Sequence, residues 1–418
     1  MKPRKIFQKL LKQKNSRKVS LLIGPRQVGK TTLLKAAYDN LYNEETNALF
    51  LDLDIFSNYE KVSTFESLIK TIELNGYDKN QKEFFYLFLD EFQRYPNLTM
   101  IMKNVYDTFD NVKIYASGSS SISIKDTVQE SLAGRKILNY IYPLDFEEFL
   151  WFKEDKNAIT NLKNIGKLKG KDLIKPTQEL FRYLSEFLVY GGYPEVVIKT
   201  NKKDVLESIF DLFVKKDLVD YLKIDKIVNV KRLIEYLAVN NGQKIKYNEA
   251  AQSCSLSYKE VKNYVELLVE SYLIVEVRPF YKNKNTELVK IPKIYYIDNG
   301  VRNYFINNFN QIGKRGEAGF LFEGYVISEL VKSGTNIIKF WQDKNKHEVD
   351  IILDFISKRI PIEVKFKQTL KKRDYNGLNL YNNLYPKTTK GYIINLNQVG
   401  KKGKIRLILP YDLSVLSS

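Results

Sequence analysis

Short apolar runs that end in a polar residue or glycine recur along the first 150 residues, with helically spaced stretches between them. Val19–Ile23, Ala48–Asp54, Phe84–Glu91 and Val112–Ala116 read as buried strands, the stretches after Thr31 and around Phe65 to Glu73 as helices. This βαβ rhythm predicts a parallel sheet covered by helices. Residues 1–17 form a short amphipathic pattern, with Ile6, Leu10 and Leu11 on one side, expected to pack on that core. From Pro176 to Asp225 the period is helical, with Phe181, Leu184, Phe187 and Leu188 before the Gly191-Gly192 break. Between them, Lys153 to Lys175 is rich in Lys and Asn with little apolar periodicity, and reads as an insertion or boundary.

Lys231 to Phe305 reads as three helices followed by extended strands. Ser257 and Glu260 have capping-box spacing, and Val261, Tyr264, Val265, Leu268 and Tyr272 form one stripe behind them. This is the pattern of a winged helix presenting Lys259 and Lys262, with Ile274–Arg278 and Ile294–Ile297 as wing strands around the basic loop 282–290. DNA binding and simple interdomain packing are both open uses for it. A helix from Gly316 to Leu330, strands at Val349–Leu353 and Ile360–Phe366, a helix at Tyr375–Tyr385 and two closing strands complete the chain.

The chemistry concentrates where strand turns into helix. Gly24-Pro25-Arg26-Gln27-Val28-Gly29-Lys30-Thr31-Thr32 has the spacing that curls backbone N–H groups around phosphates, with Lys30 for the β/γ oxygens and Thr31 for Mg²⁺. Asp90 and Glu91 close a buried strand at its carboxyl end, where α/β sheets hold ligands; Asp90 is assigned to the metal and Glu91 to the attacking water. Two acids capping the next helix are the plainer alternative. Ser117, in Ser117-Gly118-Ser119-Ser120-Ser121, brings a hydroxyl to the same edge as a γ-phosphate sensor. Arg135 is a transition-state arginine candidate, acting in its own subunit or on a neighbouring copy in a homo-oligomer; a structural ion pair is the rival reading.

These motifs, with Leu132-Ala133-Gly134-Arg135, Pro143-Leu144, Glu148-Phe149 and Tyr190-Gly191-Gly192-Tyr193-Pro194, resemble the AAA-type ATPases of archaea and bacteria that carry a C-terminal domain of unknown function. The resemblance implies ATP rather than GTP, and an ATPase core (1–152) followed by a linker and helical lid (153–226), a winged-helix segment (227–312) and a restriction-endonuclease-like α/β domain (313–418).

Within that last part, alternation puts Ile362, Val364 and Phe366 on one face and Glu363 and Lys365 on the other, with Asp350 adjacent. Two carboxylates and a lysine suit a Mg²⁺ site acting on a phosphodiester. The set Glu323, Asp350, Glu363 and Lys365 resembles a PD-(D/E)xK nuclease core, with Val349-Asp350 replacing Pro-Asp.

Composition narrows the classes. The 418 residues, 44% apolar and 28% charged, suit a multidomain soluble protein. No stretch approaches eighteen uninterrupted apolar residues, so a cytoplasmic protein with no membrane partner is expected. One cysteine and one histidine exclude an internal disulfide and a structural zinc site. The balance of 67 Lys+Arg against 49 Asp+Glu, +18, favours a polyanion such as DNA, although abundant Lys, Asn, Ile and Tyr are also what an AT-rich genome encodes. The expectation is a Mg²⁺-dependent ATPase coupled to action on DNA; its rival is an ATP-dependent regulatory switch whose C-terminal domain makes protein contacts without cleaving nucleic acid.

Overall fold

In a computed structural model the chain divides into two units, one of residues 1–143, 212–223 and 270–272, the other of residues 144–211, 224–269 and 273–418. The structure describes residues 1–42, 47–95, 97–119, 130–221, 225–335, 337–386, 388 and 391–416. Ser120 and Ser121 lie outside them.

The first unit is built on a five-stranded sheet of order β2-β3-β4-β1-β5, comprising β1 (Val19–Gly24), β2 (Ala48–Asp52), β3 (Phe85–Asp90), β4 (Val112–Ser119) and β5 (Lys136–Tyr140). Every pairing is parallel. β1, β3 and β4 are buried at every position, which is why they read as largely apolar rather than alternating, with Ser20 in β1 and Lys113, Ser117 and Ser119 in β4 among the buried polar exceptions. The edge strand β5, with its exposed and half-buried positions, carries no such signal. Around the sheet lie α1 (Lys5–Leu11), α2 (Lys30–Tyr42), α3 (Phe56–Glu60), α4 (Phe65–Leu74) and α5 (Leu98–Thr108).

Helix α1 belongs to this unit, as its apolar side suggested. Leu10 is buried, the Tyr115 hydroxyl donates to the Leu10 carbonyl at 3.2 Å, and Gln13 just beyond bonds Asn139 and Ser20.

The second unit carries an eight-stranded mixed sheet of order β12-β13-β11-β10-β9-β8-β6-β7: β6 (Ile274–Pro279), β7 (Lys293–Tyr296), β8 (Ile338–Gln342), β9 (Glu348–Asp354), β10 (Arg359–Lys365), β11 (Tyr392–Asn395), β12 (Gly400–Lys402) and β13 (Ile405–Ile408). The helix Ala318–Lys332 is buried around most of its circumference, matching its almost wholly apolar sequence.

Lys153–Lys175, read as an insertion or boundary, contains the helix Lys156–Asn164 and short 3₁₀ turns that bury Ala158, Ile165 and Leu173 in the core. Its few apolar residues are spaced too sparsely to show a stripe. The two strands read as a wing, β6 and β7, do pair antiparallel; β6 also pairs parallel with β8, and the basic connection contains a helix, Lys284–Val289. The capping box is present, with the Ser257 N–H donating to Glu260 at 2.8 Å and the Glu260 N–H to the Ser257 hydroxyl at 3.2 Å. Among the described residues no helix is long and apolar enough to cross a membrane.

Candidate functional site

Residues 25–29 form the turn that joins β1 to α2. Gly29 has φ +94°, a conformation side chains disfavour, and Gln27 also sits at positive φ. Pro25, Arg26 and Val28 complete the loop, Val28 fully buried; Lys30, Thr31 and Thr32 begin α2, so the loop leads directly into that helix's N-terminal end. Lys30 is buried, and its ammonium donates to the Gly24 carbonyl at 3.0 Å and the Pro25 carbonyl at 2.7 Å. It therefore lies across the loop.

A residue outside the motif braces this loop. Arg4, 8% exposed, donates from Nη1 to the Val28 carbonyl at 2.8 Å and from Nη2 to the Tyr142 carbonyl at 2.9 Å. An arginine in a basic N-terminal stretch gives no sequence signal for this, because both partners are distant backbone atoms.

β4 lies between β1 and β3, so its carboxyl end stands between the loop and Asp90. Asp90 is buried, accepts a hydrogen bond from the Ser117 hydroxyl, and is hydrogen-bonded to the Thr31 side chain. Burial pushes its pKa up, against the two hydroxyl bonds, which lower it. Three expected site residues, Thr31, Asp90 and Ser117, thus meet at one point.

Ser117 is committed to Asp90, however, and the sensor role assigned to it needs a freer hydroxyl. Ser119, in register with Gly24, is buried, and its hydroxyl has no hydrogen-bond partner. It is the better-placed group.

Glu91 adopts a left-handed backbone, φ 57°, at the end of β3. Its carboxylate accepts from Gln93 Nε2 and lies 4.0 Å from the Arg26 guanidinium. It does not cap the following turn. Gly118 allows this arrangement, since a Cβ there would strike Phe92 and Gln93.

Arg135 is elsewhere. Its carbonyl accepts from the Val19 N–H at the start of β1, the opposite end of that strand from Gly24, and its guanidinium holds Asp107 at 2.7 and 3.2 Å. Five residues of strand, on the order of 16 Å, separate the two ends. Of the two uses expected for Arg135, action within its own subunit does not suit this position at the far end of β1, where its guanidinium pairs with Asp107; action on a neighbouring copy is a separate reading.

The C-terminal set does assemble. The β9–β10 pairing brings Asp350 to Lys365 Nζ at 3.1 Å and to the Val364 N–H at 2.7 Å, while Lys365 also bonds Glu363. Glu323, from the helix Ala318–Lys332, accepts from the Tyr295 hydroxyl and from Lys293 Nζ at 3.4 Å, and Lys293 also pairs with Glu348. Lys293 and Tyr295 on β7 and Glu348 on β9 carry no sequence signal for this, because their partners lie far away in the chain.

Burial pushes Glu323 up to about 7, with Lys293 opposing. Burial likewise raises Asp350, but Lys365 and Lys293 outweigh it and hold that carboxyl low; Glu363 is driven up by burial and by Asp350. Among the described residues, no three His, Cys, Asp or Glu side chains gather as a metal-holding group.

Comparison with known proteins follows this division. Residues 16–150 match the family model "AAA domain", residues 181–312 a "Domain of unknown function (DUF8612)" and residues 318–412 a "Domain of unknown function (DUF4143)". An uncharacterized protein of Methanocaldococcus jannaschii is 27% identical over 373 residues, 85% of this chain and 77% of its own length. One of Haemophilus influenzae is 26% identical, covering 86% of each. Among solved structures, a Walker-type ATPase of Pyrococcus abyssi is similar with TM-score 0.45 and 15% identity, covering 73% of this chain and 96% of that one; DnaA bound to AMPPCP and single-stranded DNA has TM-score 0.26 and 19% identity, covering 63% and 86%. The family match over residues 16–150 and the loop geometry support an AAA-type P-loop domain in this part of the chain, with ATP binding and hydrolysis as what it does.

Proposed function

We propose that the chain is a Mg²⁺-dependent ATP hydrolase that passes its turnover to DNA through its C-terminal half. The observation that carries the first part is the meeting of Thr31, Asp90 and Ser117 beside Glu91 at the carboxyl end of β3. A hydroxyl and a carboxylate already hydrogen-bonded to each other are a hard-oxygen donor pair that fits Mg²⁺, which would neutralise charge on the β- and γ-phosphates. The loop N–H groups and the N-terminal end of α2 bind the phosphates, and Lys30 exchanges its two loop carbonyls for phosphate oxygens. Glu91 orients the attacking water and takes its proton; Gln93 and Arg26 set the direction of its carboxylate. The unpartnered Ser119 hydroxyl supplies a donor for the γ-phosphate.

For the second part, support comes from the +18 charge, from the exposed Lys259 and Lys262 on the helix Tyr258–Glu270, and from the acid–acid–lysine set on β9 and β10. One observation favours the switch reading, with protein contacts and no cleavage: the C-terminal carboxylates are already neutralised by two lysines.

The test is ATP hydrolysis with and without duplex DNA over a salt series, for wild type and Glu91→Gln. Glu91→Gln is expected to retain ATP and to lose about 10²–10⁴-fold in kcat, the usual contribution of a general base. DNA is expected to raise the wild-type rate, and less so as salt increases. An unchanged kcat in Glu91→Gln sinks the assignment of the base; a rate indifferent to DNA transfers the second half of the proposal to the switch.

A further inference from the structure

β7 places Lys293 and Tyr295 on one face, both almost wholly removed from solvent. A buried ammonium is costly unless charge and hydrogen bonds compensate it. Here the compensation comes from a site in a later part of the chain: Lys293 Nζ pairs with Glu348, lies 3.4 Å from Glu323, and sits 5.2 Å from the centre of the Phe340 ring. The Asp350 charge also acts on it. Lys365 does the same for Asp350 and Glu363. Four buried or half-buried acids thus share two lysines, and the Tyr295 hydroxyl fills a further acceptor site on Glu323.

Carboxylates gathered at a sheet edge ordinarily invite a divalent ion, which takes oxygen ligands and keeps several waters. Two ammonium groups, Lys293 on Glu323 and Glu348 and Lys365 on Asp350 and Glu363, occupy carboxylate oxygens an ion would need and repel its charge. We infer that Lys293 is a resident cation of the C-terminal acidic site, neutralising Glu323 and Glu348 in place of a metal, beside Lys365 on Asp350 and Glu363, and closing the site to divalent ions while β7 stays in the sheet. The inference rests on the nuclease-like reading only in supposing that these acids would otherwise hold a metal.

The test uses the full chain without nucleotide, so that the phosphate loop takes no part. Mn²⁺ is titrated in with the free ion read by electron paramagnetic resonance, and melting is followed with and without Mn²⁺. Wild type is expected to show no Mn²⁺ binding that Asp350→Asn removes. Lys293→Met is expected to melt lower, to bind Mn²⁺ at least about tenfold more tightly than the detection limit that bounds wild type, a gain expected to vanish in Lys293→Met/Asp350→Asn, and to recover melting temperature when Mn²⁺ is added.

Should Lys293→Met not fold, Lys293→Met/Glu323→Gln, which removes one charge of each sign, is expected to fold; failure of the pair to improve on the single change overturns the inference. Asp350-dependent Mn²⁺ binding of equal strength in wild type and Lys293→Met overturns it too. Binding and melting are read without DNA, so the outcome is separate from whether the domain cuts.

Discussion

Arg4→Ala removes two charge-assisted hydrogen bonds at once, the one to Val28 inside the phosphate loop and the one to Tyr142 beyond β5. With a charged donor each is worth about 1.5–3 kcal/mol, so the upper bound is about 3–6 kcal/mol. Water entering the vacated space re-solvates both carbonyls in part, which brings the expected loss of stability to about 2–4 kcal/mol.

The distribution of that loss matters more than its size. Val28 lies between the two loop glycines, and the Arg4 guanidinium is close enough that a Cβ on Gly29 would lie 3.8 Å from it. If about 1.4 kcal/mol of the loss falls on the loop itself, nucleotide must repay it on binding and Kd for ATP rises about tenfold. Thermal unfolding and titration with a fluorescent ATP analogue at fixed Mg²⁺ measure the two terms separately. Arg4→Lys keeps the charge but has no fork to serve both carbonyls, and is expected to recover less than half. A lowered melting temperature with unchanged Kd refutes the bracing of the loop, and no change in either refutes the value assigned to the bonds.

Two further perturbations bear on the same unit. Lys113 is buried with the Lys18 carbonyl and Ser20 hydroxyl as acceptors, and burial lowers its pKa to about 7. Unfolding returns it toward about 10.4, so between those values the unfolded chain binds more protons and stability rises with pH. Urea titrations from pH 7.5 to 9.5 are expected to show wild type gaining on Lys113→Met by up to about 1.4 kcal/mol per pH unit; parallel curves count against a depressed lysine. Arg135→Ala is expected to leave kcat of a single copy unchanged, since its guanidinium serves Asp107 at the far end of β1. A drop that grows with protein concentration points instead to action on a neighbouring copy.

Legibility in the sequence tracked the range of the interaction. The phosphate loop, the Asp90-Glu91 strand end and the Ser257–Glu260 cap are set within a few residues, and periodicity or spacing exposes them directly. The β9–β10 alternation was enough to bring Asp350, Glu363 and Lys365 together, because a two-strand register is nearly local. What escaped was nonlocal. Arg4 reaches Val28 and Tyr142 across 24 and 138 residues, and Lys293 reaches Glu348 across 55; no pattern around either residue records its partner. Ser117 and Ser119 share one face of one strand, so alternation could not say which hydroxyl is spent on Asp90 and which is left over.

The double pairing of β6 bears on how the C-terminal half can be inherited. Family matches end and begin again between residues 312 and 318, yet Arg278 and Pro279 are paired with Lys339 and Phe340 across that gap. Cutting there would bare the edge of β8 to any passing strand and strip the acidic site of its lysine and tyrosine. Recombination that exchanged one segment without the other would leave an unmatched edge and an uncompensated cluster of carboxylates. The two segments are separate words in the sequence but a single unit of exchange.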